Sequence, residues 1–524
     1  MPSQKSLVIA FILALLVIPS TALSMPSAAT ANHQNPNRTS NDLARRSPPN
    51  LAFIEALSAP AVEANGFAVT LTNCAGAEID AAITTCKNNN GGTVYLPACD
   101  VSLSDKVFRV PAGVSIIGSG RDSTIVRDAI FHFNGDQFGT VGDGISRFAY
   151  MSIINDLATT NYYFEVRRTQ GMRIDHMYFE GRFSTFMNII LPSTHDDGYV
   201  VIDHCEFNLH TSYGFYTFGR NTYFENIGST ACRDLLGADN GSGGAVFVED
   251  CAFSGFYDHL MDGRTGAHYI FRHNAIVYDS GSGPLEGHGP TTPGDDLNVG
   301  TNAIEIYDVT IAQNGVSGSA GILIRSGCGV VYNTTISNKK YGIAMAVENS
   351  PYNWPRDAAS YPVYHQPHGL WFWNNTFHDI DQGEYEVVWN STEAIQGNRD
   401  YFLRTPSQTL DGFTYTPYPY PHPLTVELNL AGRPANQAIH LNWTINTTLP
   451  LSTTWHIDYY TTTANTLTAT DPVSTTRAYT LTDLTNYQFY TVTLSAMLDA
   501  TAFLSDTVRV MPTDLHIYLP LAMK

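Results

Sequence analysis

A short pattern of apolar and polar positions recurs along the middle of the chain. An apolar residue is followed by any residue, then by His, Asp or Asn, then by two more residues and a Phe or Ile, as in Val248–Phe253 and Phe271–Ile276. A self-similar period of this kind is typical of stacked architectures in which each unit packs only against its neighbours. The polar members lie 23 to 46 residues apart and are His176, His204, Asp250, His273, Asp308, Asn333 and Asn374.

Within each unit, apolar and polar residues alternate with period two, and Gly and Asn separate the runs. This alternation predicts short strands, and their recurrence in one direction predicts a parallel β-helix, so the expected fold class is all-β. One amphipathic helix is predicted at Ala75–Lys87. We expect it to cover the open end of the solenoid, which would otherwise be an exposed sheet edge.

Three further stretches carry a family resemblance. They are Ala81–Ile83, Gly91–Pro97 and Gly113–Gly120. Together with the repeats, they resemble the pectate-lyase-like right-handed parallel β-helix superfamily over about Gly66–Arg404. The resemblance implies a right-handed parallel β-helix with an amino-terminal helical cap over residues 63–404, and it says little about the reaction.

The carboxyl-terminal part of the chain has a different pattern. Residues 405–423 are crowded with Pro and Tyr and are interpreted as a stiff linker. Residues 424–512 alternate as strands and resemble a fibronectin type III module, with Trp443 matching its core Trp and Leu484 preceding Tyr490 as in its tyrosine corner. In the tail, residues 513–524, the stretch His516–Ala522 resembles a short terminal signature of exported proteins from filamentous green non-sulfur bacteria.

The amino terminus predicts export. Residues 1–24 are interpreted as a signal peptide, because Lys5 precedes the apolar run Leu7–Ile18, which is too short to span a bilayer. Residues 25–62 are interpreted as a flexible leader. We therefore expect a secreted protein, extracellular or at the cell surface, without a membrane span. Two of Cys74, Cys86 and Cys99 could form a disulfide in that setting, and the sequence leaves the pairing open.

The formal net charge of −20, from 48 acidic and 28 basic residues, makes nucleic acid a poor partner. We expect a monomer. An acidic substrate would need a site that is locally basic.

A second strand in each coil carries the candidate catalytic residues. When neighbouring coils are aligned so that Ile322, Ile324, Ile343 and Met345 point inward, an outward face collects carboxylates, imidazoles and guanidinium groups. This combination is what general acid–base chemistry on a glycan requires. The predicted catalytic residues are Asp262, Arg264, His268, Glu286, His288, Glu305 and Arg325.

A second outward row combines acids, an Arg and flat rings. Because successive coils stack about 4.8 Å apart, these side chains should form a ladder along the solenoid. A groove of carboxylates and aromatic rings suits a polymer of sugars. The predicted substrate-binding residues are Asp203, Glu249, Arg272, Tyr307, Tyr332 and Trp373.

These features favour a polysaccharide lyase that cleaves an acidic, uronate-containing glycan by β-elimination. His288 would be the base, and Arg264 or Arg325 would offset the charge on the substrate carboxylate. One alternative is hydrolysis by paired carboxylates, Asp262 with Glu286 or Glu305. Another is a non-catalytic glycan-binding surface protein or adhesin.

Metal is not required by this scheme. No compact metal motif is present, and the residues assign no metal ligand. Asp295 and Asp296 could take Ca²⁺ together with other oxygens, but a role in forming a turn is the favoured interpretation.

Overall fold

The computed structural model describes residues 67–514 with gaps at 156–163, 191–197, 220–234, 238–244, 257, 279–282, 291–299, 315–318, 349–358, 360–365, 427, 446–452, 462–466, 472–475 and 499–500. The predicted signal peptide, the whole of the predicted leader, the Asp295–Asp296 pair and the terminal signature at His516–Ala522 lie outside the described residues.

The first part of the described chain is built almost wholly of strands. In chain order its elements are β1 (Ala68–Thr70), α1 (Gly76–Asn88), β2 (Gly92–Tyr95), β3 (Cys99–Val110), β4 (Val114–Ile117), β5 (Thr124–Asn134), α2 (Gly135–Phe138), β6 (Ile145–Ala149), β7 (Ser152–Asn155), β8 (Phe164–Arg167), β9 (Gly171–Asp175), β10 (Tyr178–Ile190), β11 (Tyr199–Asp203), β12 (Glu206–Phe218), β13 (Val246–Glu249), β14 (Ala252–Ser254), β15 (His259–Arg264), β16 (His268–Arg272), β17 (Ala275–Tyr278), β18 (Leu285–Gly287), β19 (Ala303–Tyr307), β20 (Thr310–Gln313), β21 (Ala320–Ile324), β22 (Cys328–Tyr332), β23 (Thr335–Met345), β24 (Leu370–Trp373), β25 (Thr376–Val387) and β26 (Tyr401–Phe402).

These strands form two long sheets in a solenoid-like arrangement, and their pairings are parallel. The first sheet has twelve strands in the order β1-β2-β4-β6-β9-β11-β13-β16-β19-β22-β24-β26. The second sheet forks between the long strands β12 and β23. One branch, the corner arm, is β14-β17-β20, and the other, the site arm, is β15-β18-β21. The all-β, parallel architecture expected from the repeat is confirmed at this level.

The polar position of the repeat is a backbone corner. All seven polar members named above have positive φ angles, between 50° and 55°. Gly adopts this left-handed region most readily. Asn, Asp and His are the other residue types that are most enriched there. Successive corners stack on one another, as in His176 and His204, whose rings lie 5.1 Å apart and nearly parallel. The sequence pattern therefore marks the point where the first sheet turns into the second.

The interior is filled by inward-facing apolar side chains that stack from coil to coil. Phe179, Phe207 and Phe253 form one such column, with ring centroids 5.0 and 4.8 Å apart. Burial of each ring stabilises the fold by roughly 1.5–3 kcal/mol relative to exposure.

Helix α1 covers the amino-terminal end of this core. Its buried face consists of Ile79, Ala82, Ile83 and Cys86, as expected for an amphipathic helix. Of the cysteines near the cap, Cys74 and Cys99 are joined by a disulfide, and Cys86 is free and buried.

A later segment of the chain lies across the outer surface of the first sheet. We call this segment, Phe413–Thr425, the strap. Its Tyr415 hydroxyl donates to Glu305 at 2.6 Å, and its His422 backbone N–H donates to Glu249 at 2.8 Å. The residues expected to form a linker are therefore folded onto the solenoid.

The remaining strands are antiparallel. They are β27 (Leu428–Ala435), β28 (Ala438–Ile445), β29 (Thr454–Tyr460), β30 (Leu467–Asp471), β31 (Ala478–Leu481), β32 (Tyr490–Leu498) and β33 (Thr501–Val510). One short helix, α3 (Gln408–Asp411), precedes the strap. The strands make a three-stranded sheet, β27-β28-β31, and a four-stranded sheet, β30-β29-β32-β33, which share one core around Trp443 and Trp455. The Tyr490 hydroxyl accepts from the Thr485 N–H at 3.0 Å.

Candidate active site

Five of the seven predicted catalytic residues lie together on the outer side of the site arm. Met261, Leu285 and Ile324 point into the solenoid core, so strand alternation turns their next neighbours outward. Strand β15 aligns with β18, and β18 aligns with β21, which brings side chains far apart in sequence to neighbouring coils. The five residues are Asp262, Arg264, Glu286, His288 and Arg325.

The Asp262 carboxylate is fully buried, and only one of its oxygens is engaged. Oδ2 accepts hydrogen bonds from Arg264 Nε at 2.9 Å and Nη2 at 2.6 Å. The guanidinium of Arg264 also lies over the ring of Tyr216, 4.5 Å from its centroid. Oδ1 has no hydrogen-bond partner among the described residues. Since an unpartnered buried oxygen is costly, Oδ1 is the atom most available to a bound ligand.

Glu286 lies in register with Asp262 and is held between two cations. His259 Nε2 lies 2.8 Å from one carboxylate oxygen, and Arg325 Nη2 contacts the other. Burial alone would raise the pKa of Glu286, but His259 and Arg325 bring it well below its usual value. Burial disfavours the charged form of His259 as well and on its own would lower its pKa. The Glu286 carboxylate outweighs this effect and raises the pKa of His259 to about 9. Both groups are therefore ionised at neutral pH, and Glu286 is a poor proton donor.

His288, one residue beyond β18, is a neutral imidazole. Burial lowers its pKa, and Arg325 and Arg264 lower it further against the opposing effect of nearby carboxylates. Its Nδ1 lies 2.8 Å from the backbone oxygen of Gly289, so we assign the proton to Nδ1 and the lone pair to Nε2. Gly289 is required here, because a Cβ at this position would lie 2.2 Å from Glu348 Cβ. His288 is thus set up as a base.

Asp262, Glu286 and His288 are also the residues that could hold a metal ion. Each offers one ligand atom, and these atoms lie within 4.8 Å of one another. Both Glu286 oxygens and Asp262 Oδ2 already face cationic side chains. Only Asp262 Oδ1 and His288 Nε2 remain, which is fewer than the three protein ligands typical of a catalytic zinc site. The donor set favours acid–base chemistry.

The structure does not bring His268 and Glu305 to this site. They lie on β16 and β19 of the first sheet, where His268 Nε2 is 3.0 Å from Glu305 Oε1. Glu305 also accepts from the backbone N–H of Gly237 at 3.1 Å and from Tyr415 of the strap. The period-two alternation placed these two side chains outward correctly, but on a different face of the solenoid.

The predicted substrate-binding residues form the expected ladder on the first sheet. Tyr307, Tyr332 and Trp373 stack with centroids 4.7 and 4.4 Å apart. The row is not an open groove, because the strap lies against it: Glu249 and Arg272 are fully buried, and the Tyr415 ring meets Tyr332 and Trp373 edge-on. Asp203 is buried as well, and it accepts from Arg173 at 2.9 Å. A role of these residues in substrate binding stays a prediction.

Three residues of the site were missed by the sequence reasoning. His259 is the first residue of β15, and at that position the period-two alternation does not predict the direction of the side chain. Glu348 contacts Arg325, and the Arg325 guanidinium lies 5.6 Å from the ring centroid of Trp389. Glu348 and Trp389 both follow the carboxyl ends of strands, as His288 and Arg325 do. That shared position beyond the strand ends is the signal that could have found them.

Comparison with known proteins gives no relative: no protein-family model matches this chain, and no curated protein is similar in sequence. Within the described residues, none of the helices has the length and apolar character needed to cross a bilayer.

Proposed function

We propose that the protein is a secreted polysaccharide lyase that cleaves an acidic, uronate-containing glycan by β-elimination. We further propose that its solenoid is a right-handed parallel β-helix of the pectate-lyase-like type and that its carboxyl-terminal sheets are a fibronectin type III-like module. Parallel coils with left-handed corner residues support the first assignment. The three-plus-four strand arrangement and the hydrogen bond to the Tyr490 hydroxyl support the second.

The observation that carries the proposed reaction is a neutral His288 beside two guanidinium groups. Nε2 of His288 removes the proton α to the uronate carboxylate, and the electron pair left on that carbon forms the new carbon–carbon double bond. The glycosidic oxygen on the β carbon leaves with the bonding electrons and takes up a proton from solvent water. Arg264 and Arg325 offset the charge that builds on the substrate carboxylate, since guanidinium groups match carboxylates in bidentate geometry.

Hydrolysis by paired carboxylates is supported less well. A glycosidase needs a carboxylic acid with a raised pKa, whereas His259 and Arg325 keep Glu286 ionised despite its burial. The nearest ligand atoms of Asp262 and Glu286 lie within 4.8 Å, which is short of the roughly 6.5–9.5 Å that leaves room for water in an inverting enzyme.

Export is supported by the disulfide between Cys74 and Cys99, because such bonds persist in oxidising compartments. The strong negative charge, −20, also argues against nucleic acid as a partner.

The test is incubation of the purified protein with pectin, alginate, glycosaminoglycans and a neutral xylan. New ultraviolet absorbance from an unsaturated uronate supports the lyase. Reducing ends without that absorbance would indicate a hydrolase, and binding without cleavage would indicate an adhesin.

The variant that tests the mechanism is His288→Ala. Losing a general base should reduce unsaturated-product formation about 10²–10⁴-fold, with thermal unfolding unchanged. His268→Gln is the matched control, because His268 is an equally buried imidazole on the other face and should leave the rate unaltered. Activity of His288→Ala within threefold of the parent would contradict the proposal.

A further inference from the structure

We propose that a cleft beside Trp389 is a sugar-binding subsite that takes the part of an acidic glycan lying beyond His288 along the solenoid axis. The identity of the glycan rests on the proposed function, and the existence of the subsite does not. The cleft has a volume of about 500 Å³, within the range of ligand sites in proteins. It lies along the later coils of the same sheet, beyond β21, where β23 and β25 pair.

The backbone around Trp389 is the first argument for this subsite. Trp389 and Asn390 both have φ of 57°, and the Ser391 N–H donates to Val388 O at 3.2 Å. Two successive residues with positive φ inside such a four-residue turn indicate the I′ type, in which Gly, Asn and Asp dominate. Trp is a poor choice here, and strain of this kind, on the order of 1–3 kcal/mol, is found mainly at functional sites.

The exposure of Trp389 is the second argument. The side chain is 45% exposed, although an indole of this size usually contributes to a core. Arg325 lies beside the ring, and Arg325 also contacts Glu286 of the candidate active site. The indole therefore lines the cleft and also lies beside Arg325 of the candidate active site.

The lining of the cleft suits an anionic sugar. Lys340 supplies an ammonium group, and it lies 5.0 Å from the ring centroid of Tyr341. Polar side chains able to bond hydroxyl groups complete the lining: Ser319, Gln382, Glu386, Asn390 and Thr392. We expect the apolar face of a pyranose ring to stack on Trp389 while Lys340 pairs with the uronate carboxylate.

Rings also occur on the other side of the site. Tyr213 and Tyr216 lie three strands before β21 in the sheet order, on β12 next to β15, with their rings 4.8 Å apart. Because coils are about 4.8 Å apart, a polymer that runs across the coils would pass these tyrosines, then His288, then Trp389. Such a path gives the enzyme subsites on both sides of the cleaved bond.

The decisive variant is Trp389→Asn, made in the full-length protein. Asn fits the turn, so thermal stability should be equal to or higher than that of the parent. Binding of oligouronates prepared from pectin and alginate, measured by calorimetry in the His288→Ala background, should weaken about tenfold, which corresponds to about 1.4 kcal/mol. If Trp389 is only structural, the variant instead loses stability and keeps its affinity.

Two further variants set the controls. Tyr487→Ala removes an aromatic side chain that is 56% exposed, more than Trp389, from the carboxyl-terminal part of the chain, and it should leave binding unchanged. Lys340→Gln should weaken oligouronate binding while leaving any binding of neutral xylo-oligosaccharides unaltered.

The outcomes separate this proposal from the proposed reaction. Equal oligouronate affinity of Trp389→Asn and its parent overturns the subsite, and a parent that binds no oligouronate overturns its assignment to an acidic glycan. Affinity lost through Trp389→Asn, in a protein that forms no unsaturated product, supports the subsite and counts against the lyase.

Discussion

Two buried clusters of acids, guanidinium groups and imidazoles lie on different faces of the solenoid. One is the candidate active site on the site arm, around Asp262 and His288. The other lies on the first sheet beneath the strap, and we call it the strap cluster: Glu249, Arg272, His268 and Glu305. The two clusters are alike in composition and burial. The outward strand phase of His268 and Glu305 led the sequence analysis to assign them to the same active face as Asp262 and His288.

The clusters differ in how completely their polar atoms are satisfied. Arg272 donates four hydrogen bonds, to Glu249, the Tyr307 hydroxyl and the backbone oxygens of Tyr418 and Pro419, and its Nη2 also pairs with Glu249 at 2.7 Å. In the active-site cluster, Asp262 Oδ1 has no partner among the described residues. A network in which every polar group has a hydrogen-bond partner stabilises the fold. A buried polar group without a partner can instead gain a hydrogen bond when a ligand binds. Satisfaction of hydrogen bonds therefore distinguishes these clusters better than charge or burial does.

The largest expected effect is on the stability of the strap cluster. Arg272→Met leaves the buried Glu249 carboxylate without its cation, which should lower the free energy of unfolding by about 3–5 kcal/mol. Urea unfolding followed by tryptophan fluorescence measures the change. The double variant Glu249→Met with Arg272→Met removes both charges and should recover much of the loss. A single variant as stable as the parent would show that the network is not saturated as described.

A matched change in the active-site cluster should have the opposite profile. Asp262→Asn keeps the size of the side chain and removes its charge, so product formation should fall about 10²–10³-fold. Its unfolding free energy should fall by far less than that of Arg272→Met, because the Asn amide oxygen still accepts from Arg264, whose side chain is partly exposed, and because catalytic groups are commonly held at a cost to stability. Loss of stability comparable with that of Arg272→Met would place Asp262 among the structural residues instead.

Much of the solenoid could be predicted from the sequence because its determinants are local. The alternation within each strand placed Met261 inward and Asp262 outward, and the corner pattern at residues such as His204 reflects a backbone preference of single residues. The strap could not be predicted this way. Period two tells which side chains leave the core, but what covers them depends on a segment such as Tyr415–Thr425, more than a hundred residues away from Arg272 and Glu305.

The local nature of the alternation pattern also explains which residues of the candidate active site could be predicted. His288 and Arg325 were found because they continue strands whose phase is set by inward neighbours. His259 begins its strand and Trp389 lies in a turn, so no alternation governs them. Their importance emerges only from contacts between coils, such as that of His259 with Glu286.

The smallest expected effect concerns pH and tests the ion pair between His259 and Glu286 in the candidate active site. The pKa of His259 is raised to about 9 in the folded protein by Glu286, against burial, from an ordinary value of 6.5. A raised folded-state pKa contributes stability that is fully present below the unfolded value and is lost as pH rises through the folded value. His259→Gln keeps a donor to Glu286 but cannot be charged. The difference in unfolding temperature between the parent and this variant should therefore shrink as pH increases from 6.5 to 9.

The difference in unfolding temperature between the parent and His259→Gln cancels the pH-dependent contributions that both proteins share. Lys339 is one such contribution: burial lowers its pKa to about 7, so stability should rise with pH above that value in both proteins. His273→Asn is the control, because burial lowers the pKa of His273, and its difference from the parent should be flat from pH 7 to 9. A flat difference for His259→Gln as well would mean that His259 is neutral in the folded state. The ion pair would then be absent, Glu286 would lose its strongest cationic neighbour, and the case for His288 rather than Glu286 as the proton-transfer group would have to rest on geometry alone.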